Sequence, residues 1–174
     1  CPFFFRSNQM KDLIQILPAT ETQLELIQDL AYAIWPSYYQ NIISLDQIEY
    51  MLRELYSEEA LVKQMESGQK FYLVWKGKQA IGFMGLTQKS EADLKLDKLY
   101  LLDEFRGTGF GKKMMEKAEE LTKSSQCRYL ILNVNRFNKS LGFYQKEGFS
   151  VREEVDIPFG PFWLNDFVME KEVR

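Results

Sequence analysis

Three glycines at alternate positions, in Arg106-Gly107-Thr108-Gly109-Phe110-Gly111, sit between an alternating apolar run and an amphipathic helical run. A strand must therefore end, turn through backbone conformations that glycine favours, and restart as a helix within a few residues. That junction leaves several main-chain N–H groups unpaired at the positive end of a helix dipole, which is the chemistry of an anion site.

The runs around it follow one order. Leu13 to Leu17 reads as a first strand closed by Pro18, and Thr20 with Gln23 carries a capping box for a helix beginning at Glu21. Leu24, Ile27, Leu30, Ala31 and Ile34 recur at helical spacing, and the pattern is expected to stop near Trp35-Pro36. Ser44 with Gln47 opens a second helix, and Ser57 a third that ends at Gly68. The period then changes to extended, with a hairpin of Phe71 to Trp75 and Ile81 to Leu86, and a third run from Leu94 to Leu102.

After the glycine segment a helix is predicted from about Gly109 to Ser124, with Met114, Met115, Ala118 and Leu121 inward. Tyr129 to Val134 reads as a strand, Asn138 as the cap of a helix ending at Gly148, and Phe149 to Ile157 with Phe162 to Val173 as two last strands. The order predicts an α/β (α+β) domain with a mixed sheet of about seven strands and four or five helices. Met10-Lys11-Asp12 looks like a natural start, so residues 1–9 are expected to be an extension and 10–174 a single domain.

Composition excludes several chemistries. There is no histidine, which removes His-based triads and the commonest metal-ligand sets, and Cys1 and Cys127 are too few for a disulfide framework or a Cys-rich zinc site. No metal is expected. A net charge of −3 without a basic block argues against nucleic acid. No apolar stretch approaches the roughly 20 residues that span a bilayer. No membrane partner is expected, and the default location is cytoplasmic.

Two known phosphate loops fail on particular letters. The Walker pattern needs glycine and Ser/Thr where Arg106 and Lys113 stand; the dinucleotide pattern needs glycine at Lys112 or Met114. What remains is Arg106-x-x-Gly109-x-Gly111.

With the preceding Leu96-Asp97-Lys98-Leu99-Tyr100-Leu101, that segment resembles the strand and pyrophosphate loop of the GNAT superfamily of N-acetyltransferases. Asn138-Lys139-Ser140-Leu141-Gly142-Phe143-Tyr144-Gln145-Lys146-Glu147-Gly148-Phe149 resembles the second signature of the same family. In wording, the Trp35 region, the Leu96 to Leu101 strand and the Trp163 to Lys171 ending look like its polyamine and small-amine branch.

The resemblance implies a GNAT fold and direct transfer of acetyl from acetyl-CoA to a substrate amine. It implies that Leu99, Tyr100 and Leu101 lie along the pantetheine and thioester. It also implies that the loop Arg106, Gly107, Thr108, Gly109, Phe110, Gly111 and Lys112 meets the pyrophosphate, and that Asn138, Tyr144 and Lys146 complete the cofactor side. Tyr144 matches the tyrosine that faces the CoA sulfur and is the candidate general acid, although a core aromatic one turn from Leu141 would look the same.

Asp97 is the candidate base, with Glu49, Glu54 and Asp166 as competitors, since strand alternation alone could turn Asp97 outward. Trp35, Tyr38, Tyr39 and Tyr50 are candidates for one wall of an amine pocket, and Trp163 with Phe159 and Phe162 for another; core packing would place such aromatics equally well. Cys127 reads as a small core residue. A small-molecule amine, a protein amine, and a non-catalytic acyl-CoA sensor remain three open functions, with a homodimer expected by family analogy.

Overall fold

The computed structural model describes residues 13–173; the expected extension at residues 1–9 and the Met10 start lie outside the described residues. The sheet has seven strands: β1 (Ile14–Pro18), β2 (Lys70–Lys76), β3 (Gln79–Gln88), β4 (Asp93–Leu101), β5 (Tyr129–Asn135), β6 (Ser150–Phe159) and β7 (Phe162–Glu172). Their spatial order is β1-β2-β3-β4-β5-β7-β6, antiparallel throughout except for β4 beside β5. Among the described residues five α-helices accompany it: α1 (Leu24–Tyr39), α2 (Leu45–Tyr56), α3 (Glu58–Glu66), α4 (Phe110–Ser124) and α5 (Leu141–Lys146).

Each face of the sheet carries its own apolar cluster. Met114, Met115 and Ala118 of α4 pack with Leu94, Leu96 and Leu101 of β4 on one face; Ile27, Ile34 and Trp35 of α1 pack with Ile48 and Leu52 of α2, Leu61 of α3 and Phe83 of β3 on the other. Caps set two helix starts as the spacing predicts. Ser44 Oγ accepts from the Gln47 N–H at 3.1 Å and Ser57 Oγ from the Ala60 N–H at 3.2 Å.

Two boundaries differ from the sequence expectation. Helix α1 continues through Pro36 to Tyr39, because the burial of Trp35 and the ring contacts of Tyr38 and Tyr39 outweigh the one backbone hydrogen bond that proline removes. Helix α5 starts only at Leu141: Asn138 spends its side-chain oxygen on the Ser140 N–H at 2.8 Å, in a turn that precedes the helix.

Two irregularities in β4 shape the middle of the sheet. Pairing with β5 runs from Asp93↔Tyr129 to Leu96↔Leu132 and stops, although β4 continues to Leu101 and β5 to Asn135. The strands therefore part, and a cleft opens between them. Against β3, Gly85 pairs Lys98 while Leu86 pairs Leu96, so Asp97 is the extra residue of a bulge. Leu94, Leu96, Leu99 and Leu101 consequently share one apolar cluster, which unbroken alternation would forbid.

Candidate active site

Two cavities meet where β4 and β5 part. The first, of about 280 Å³, is lined by Leu99, Tyr100 and Leu101 of β4, by Arg106, Gly107, Gly109, Gly111 and Lys112, and by Ser140, Phe143 and Tyr144. The second, of about 380 Å³, lies under α1 and α2 and is lined by Trp35, Tyr38, Tyr39, Lys95, Asp97, Lys98, Asn138 and Asp166 among others. Tyr38, Leu99, Tyr100 and Tyr144 line both. A reaction between a molecule in each would take place among those four residues.

The first cavity has the parts of a diphosphate and acyl-chain site. Gly109 caps α4 in the left-handed region at φ 86, and Gly107 is also at positive φ, 74. The Lys113 N–H already bonds Gly109 O at 3.3 Å, so the amides before it are the unpaired ones at the start of a fifteen-residue helix. Arg106 stands beside them, paired with Asp103 and with its guanidinium 5.0 Å from the Tyr38 ring centroid. The parted edge of β4 continues the site with backbone groups that have no partner strand in β5. Together these fit a nucleotide thioester, with its diphosphate at the helix start and its chain along residues 97–101.

At the junction, Tyr144 packs against Phe143 and Phe149, and burial raises its phenol pKa well above the ordinary value. The hydroxyl therefore stays protonated at neutral pH. The Tyr38 hydroxyl lies 2.6 Å from Ser140 Oγ, and the Asn138 side-chain amide donates to it at 3.1 Å. Tyr39 and Tyr100 share a 2.7 Å hydrogen bond between hydroxyls, and burial raises both pKa values. Trp35 packs 4.5 Å from Tyr39 and 5.7 Å from Tyr100, which completes an aromatic wall.

Two carboxylates face the second cavity. Asp97, exposed to it by the bulge, accepts from Thr87 Oγ1 at 2.6 Å. Asp166, 9% exposed on β7, has a pKa raised by burial, opposed by a hydrogen bond from Asn133 and the charges of Lys95 and Arg136. Glu49 and Glu54 are exposed and line neither cavity.

Several residues singled out in the sequence stand elsewhere. Thr108 turns its hydroxyl back to Phe105 O, Phe110 is buried in the core, and Lys146 is exposed; none lines either of the two cavities. Asn138 lines the second cavity rather than the first. Trp163 is 57% exposed, its carbonyl accepting from Gln47 Nε2 at 3.3 Å, and Tyr50 packs on Phe159 and Phe162; of these candidates Phe159 alone lines the second cavity. Sequence reasoning passed over Lys98, Gln64 and Gln69. The bulge that turns Lys98 inward has no local signature apart from Gly85 on the facing strand.

Comparison with known proteins gives one family. Residues 39–171 match the model of the Acetyltransferase (GNAT) domain. A spermidine N(1)-acetyltransferase of Thermoplasma acidophilum is 31% identical over 168 residues, which are 91% of this chain and 97% of that protein. A peptidyl-lysine N-acetyltransferase of Salmonella typhimurium is 38% identical over 93 residues, 52% of this chain and 57% of that protein.

Among solved structures, the PaiA N-acetyltransferase from Thermoplasma acidophilum in complex with coenzyme A aligns with a TM-score of 0.78 and 30% identity, over 92% of this chain and 99% of that one. A GCN5-related N-acetyltransferase from Rhodopseudomonas palustris aligns with the same score at 18% identity, over 91% of this chain and 94% of that one, a likeness of fold.

Proposed function

The chain belongs to the acetyltransferase (GNAT) family, whose members are acyltransferases using acetyl-CoA, and from that premise we propose that it acetylates a primary amine of a small molecule by direct transfer. The observation that carries the reading is the pair of cavities that share Tyr144, one suited to the cofactor and the other walled on one side by aromatic rings.

The thioester supplies the acyl group, and the chain's own residues do the rest. Amides before Lys113, with Arg106 and Lys112, hold the diphosphate; Leu99 and Leu101 place main-chain groups along the pantetheine chain. A free amine reaches the carbonyl carbon, the new C–N bond forms, and the C–S bond breaks. An alkyl ammonium must first lose a proton, which costs about 4 to 5 kcal/mol at neutral pH from an ordinary pKa near 10.4. Asp97 accepts that proton, directly or through a water; Tyr144 donates its hydroxyl proton to the departing thiolate and is restored by the proton that the acylated nitrogen sheds.

An acceptor cavity of about 380 Å³ walled by Trp35, Tyr38, Tyr39 and Tyr100 supports a small molecule over a protein chain. Spermidine is the acceptor named for the Thermoplasma relative, so polyamines belong in the panel of amines to be tried. The experiment is thiol release from acetyl-CoA across polyamines, amino acids, aminoglycosides and lysine peptides. Turnover of a free amine supports the reading; turnover of peptides alone, or binding of coenzyme A without turnover of any amine, overturns it.

A further inference from the structure

The bulge at Asp97 turns Lys98 to the same side of the sheet as Tyr100, into the acceptor cavity. Only 7% exposed, its ammonium donates to Gln64 Oε1 at 2.7 Å and to Gln69 Oε1 at 2.6 Å, and lies 5.6 Å from the Tyr56 ring centroid and 5.4 Å from that of Phe71. Gln64 is held in turn by donating to Leu55 O at 2.8 Å. Opposite Lys98, Gly85 leaves the necessary room, since a Cβ there would stand 2.5 Å from Gln69 Oε1 and 3.3 Å from Lys98 Cδ. Two aromatic faces and two neutral oxygens make an ammonium cage, and the chain fills it with its own ammonium.

We infer that Lys98 determines specificity in the acceptor cavity: by occupying this cage it excludes the second ammonium of a diamine and selects an amine whose far end carries a carboxylate. The inference rests on the transferase reading above and narrows its substrate class. Lys98, Gln64, Gln69 and Tyr56 line the same cavity as Tyr144. The two amide oxygens take two of the three Lys98 protons, and the third has no acceptor among the described residues.

Trp35 lines the same cavity, 3% exposed, with its indole N–H buried beside the Tyr56 hydroxyl. The Trp35 ring and the Lys98 ammonium flank the same Tyr56 ring, at 5.5 and 5.6 Å from its centroid. A buried ammonium proton without an acceptor is costly unless a ligand brings the missing oxygen; a carboxylate brings it and cancels a buried positive charge.

Charge balance points the same way. Lys95 and Lys98 line the cavity along with Asp97 and Asp166, so it presents no net negative charge to a polycation. Burial holds the Lys98 pKa at about 8, which leaves the side chain mostly charged at neutral pH. A diamine would bring its second cation beside that charge, with both cage oxygens already in use.

The test is thiol release from acetyl-CoA with ω-amino carboxylates and α,ω-diamines matched in chain length. It compares the full chain with Lys98→Met and with Gln69→Glu, which keeps the lysine and sets a carboxylate against it. The native chain is expected to favour the amino carboxylate in kcat/KM by about tenfold or more, and both variants to lower that preference by about tenfold, since like-charge juxtaposition disfavours the wrong partner. Should Lys98→Met not fold, Gln69→Glu decides alone.

A native preference for the diamine overturns the inference, as does a preference unchanged in a folded variant, even if thermal stability shifts. Absence of turnover with every amine is a different result, and overturns the transferase reading itself.

Discussion

The hydroxyl of Tyr38, near the end of α1, lies 2.6 Å from the hydroxyl of Ser140 at the start of α5, so residues 102 positions apart are joined beside the meeting point of the two cavities. The same phenol receives the Asn138 amide at 3.1 Å and carries the Arg106 guanidinium over its ring. Tyr38→Phe keeps the ring and removes those two polar contacts. A stability loss of about 1 kcal/mol in urea unfolding is expected, with weaker coenzyme A binding by calorimetry because Asn138 and Ser140 lose their common anchor. Unchanged affinity would show that the bridge does not order the cofactor side.

Tyr144→Phe tests the proton donor. The ring packing on Phe143 and Phe149 survives, so coenzyme A affinity should stay close to native while turnover falls by about 100-fold. A native turnover rate with an amine that the unaltered chain acetylates would remove Tyr144 from the chemistry.

Gly109 stands at φ 86 with no heavy atom near the position of a Cβ. Gly109→Ala therefore acts through backbone conformation alone, at a cost of about 1 to 2 kcal/mol. Thermal unfolding should register that cost, and calorimetry a loss of coenzyme A affinity as the cap of α4 rearranges.

Lys98 makes stability depend on pH. Its folded pKa of about 8 lies below the ordinary lysine value, because burial outweighs the attraction of Asp97, with Lys95 and Lys89 adding repulsion. Between about 8 and the ordinary 10.4 the unfolded chain binds more protons, so stability rises with pH. Chemical denaturation at a series of pH values should show the native chain gaining on Lys98→Met across that window; parallel curves would contradict the burial of a charged lysine.

An acid limb should come from the opposite case. Arg152 holds Asp93 through two hydrogen bonds of 2.9 and 3.0 Å and also reaches Glu170 at 2.6 Å, joining β6 to β4 across β5 and β7. The guanidinium keeps the Asp93 pKa below the usual carboxylate value. Its contribution is present above the unfolded pKa and is lost as pH falls through the folded one. Arg152→Ala should cost about 1 to 3 kcal/mol near neutral pH and raise the midpoint of acid unfolding; an unmoved midpoint would show that the pair is energetically silent.

Local grammar carried much of the molecule. The caps at Ser44 and Ser57, the period change before β2, and the glycine segment ahead of α4 are decided by neighbours a few residues apart, and each was legible in the letters. The lining of the first cavity is legible in part, because much of it comes from the continuous stretch Leu99 to Lys112, although Thr108 and Phe110 within that stretch do not line it. Pro36 misled, since a proline's local cost is small beside the burial of Trp35 in α1.

The acceptor side could not be read in this way. Trp35, Gln64, Lys98, Asn138 and Asp166 come from five separate elements and loops, and no spacing rule joins them. Sequence alone determined the order of elements and the glycine junction, because those depend on short-range hydrogen bonding and hydrophobic period. Tertiary structure decided where β4 and β5 part, that Asp97 bulges, and that a lysine rather than open space fills the cage, because packing against distant elements sets the register of β4 and therefore which side chains face the second cavity.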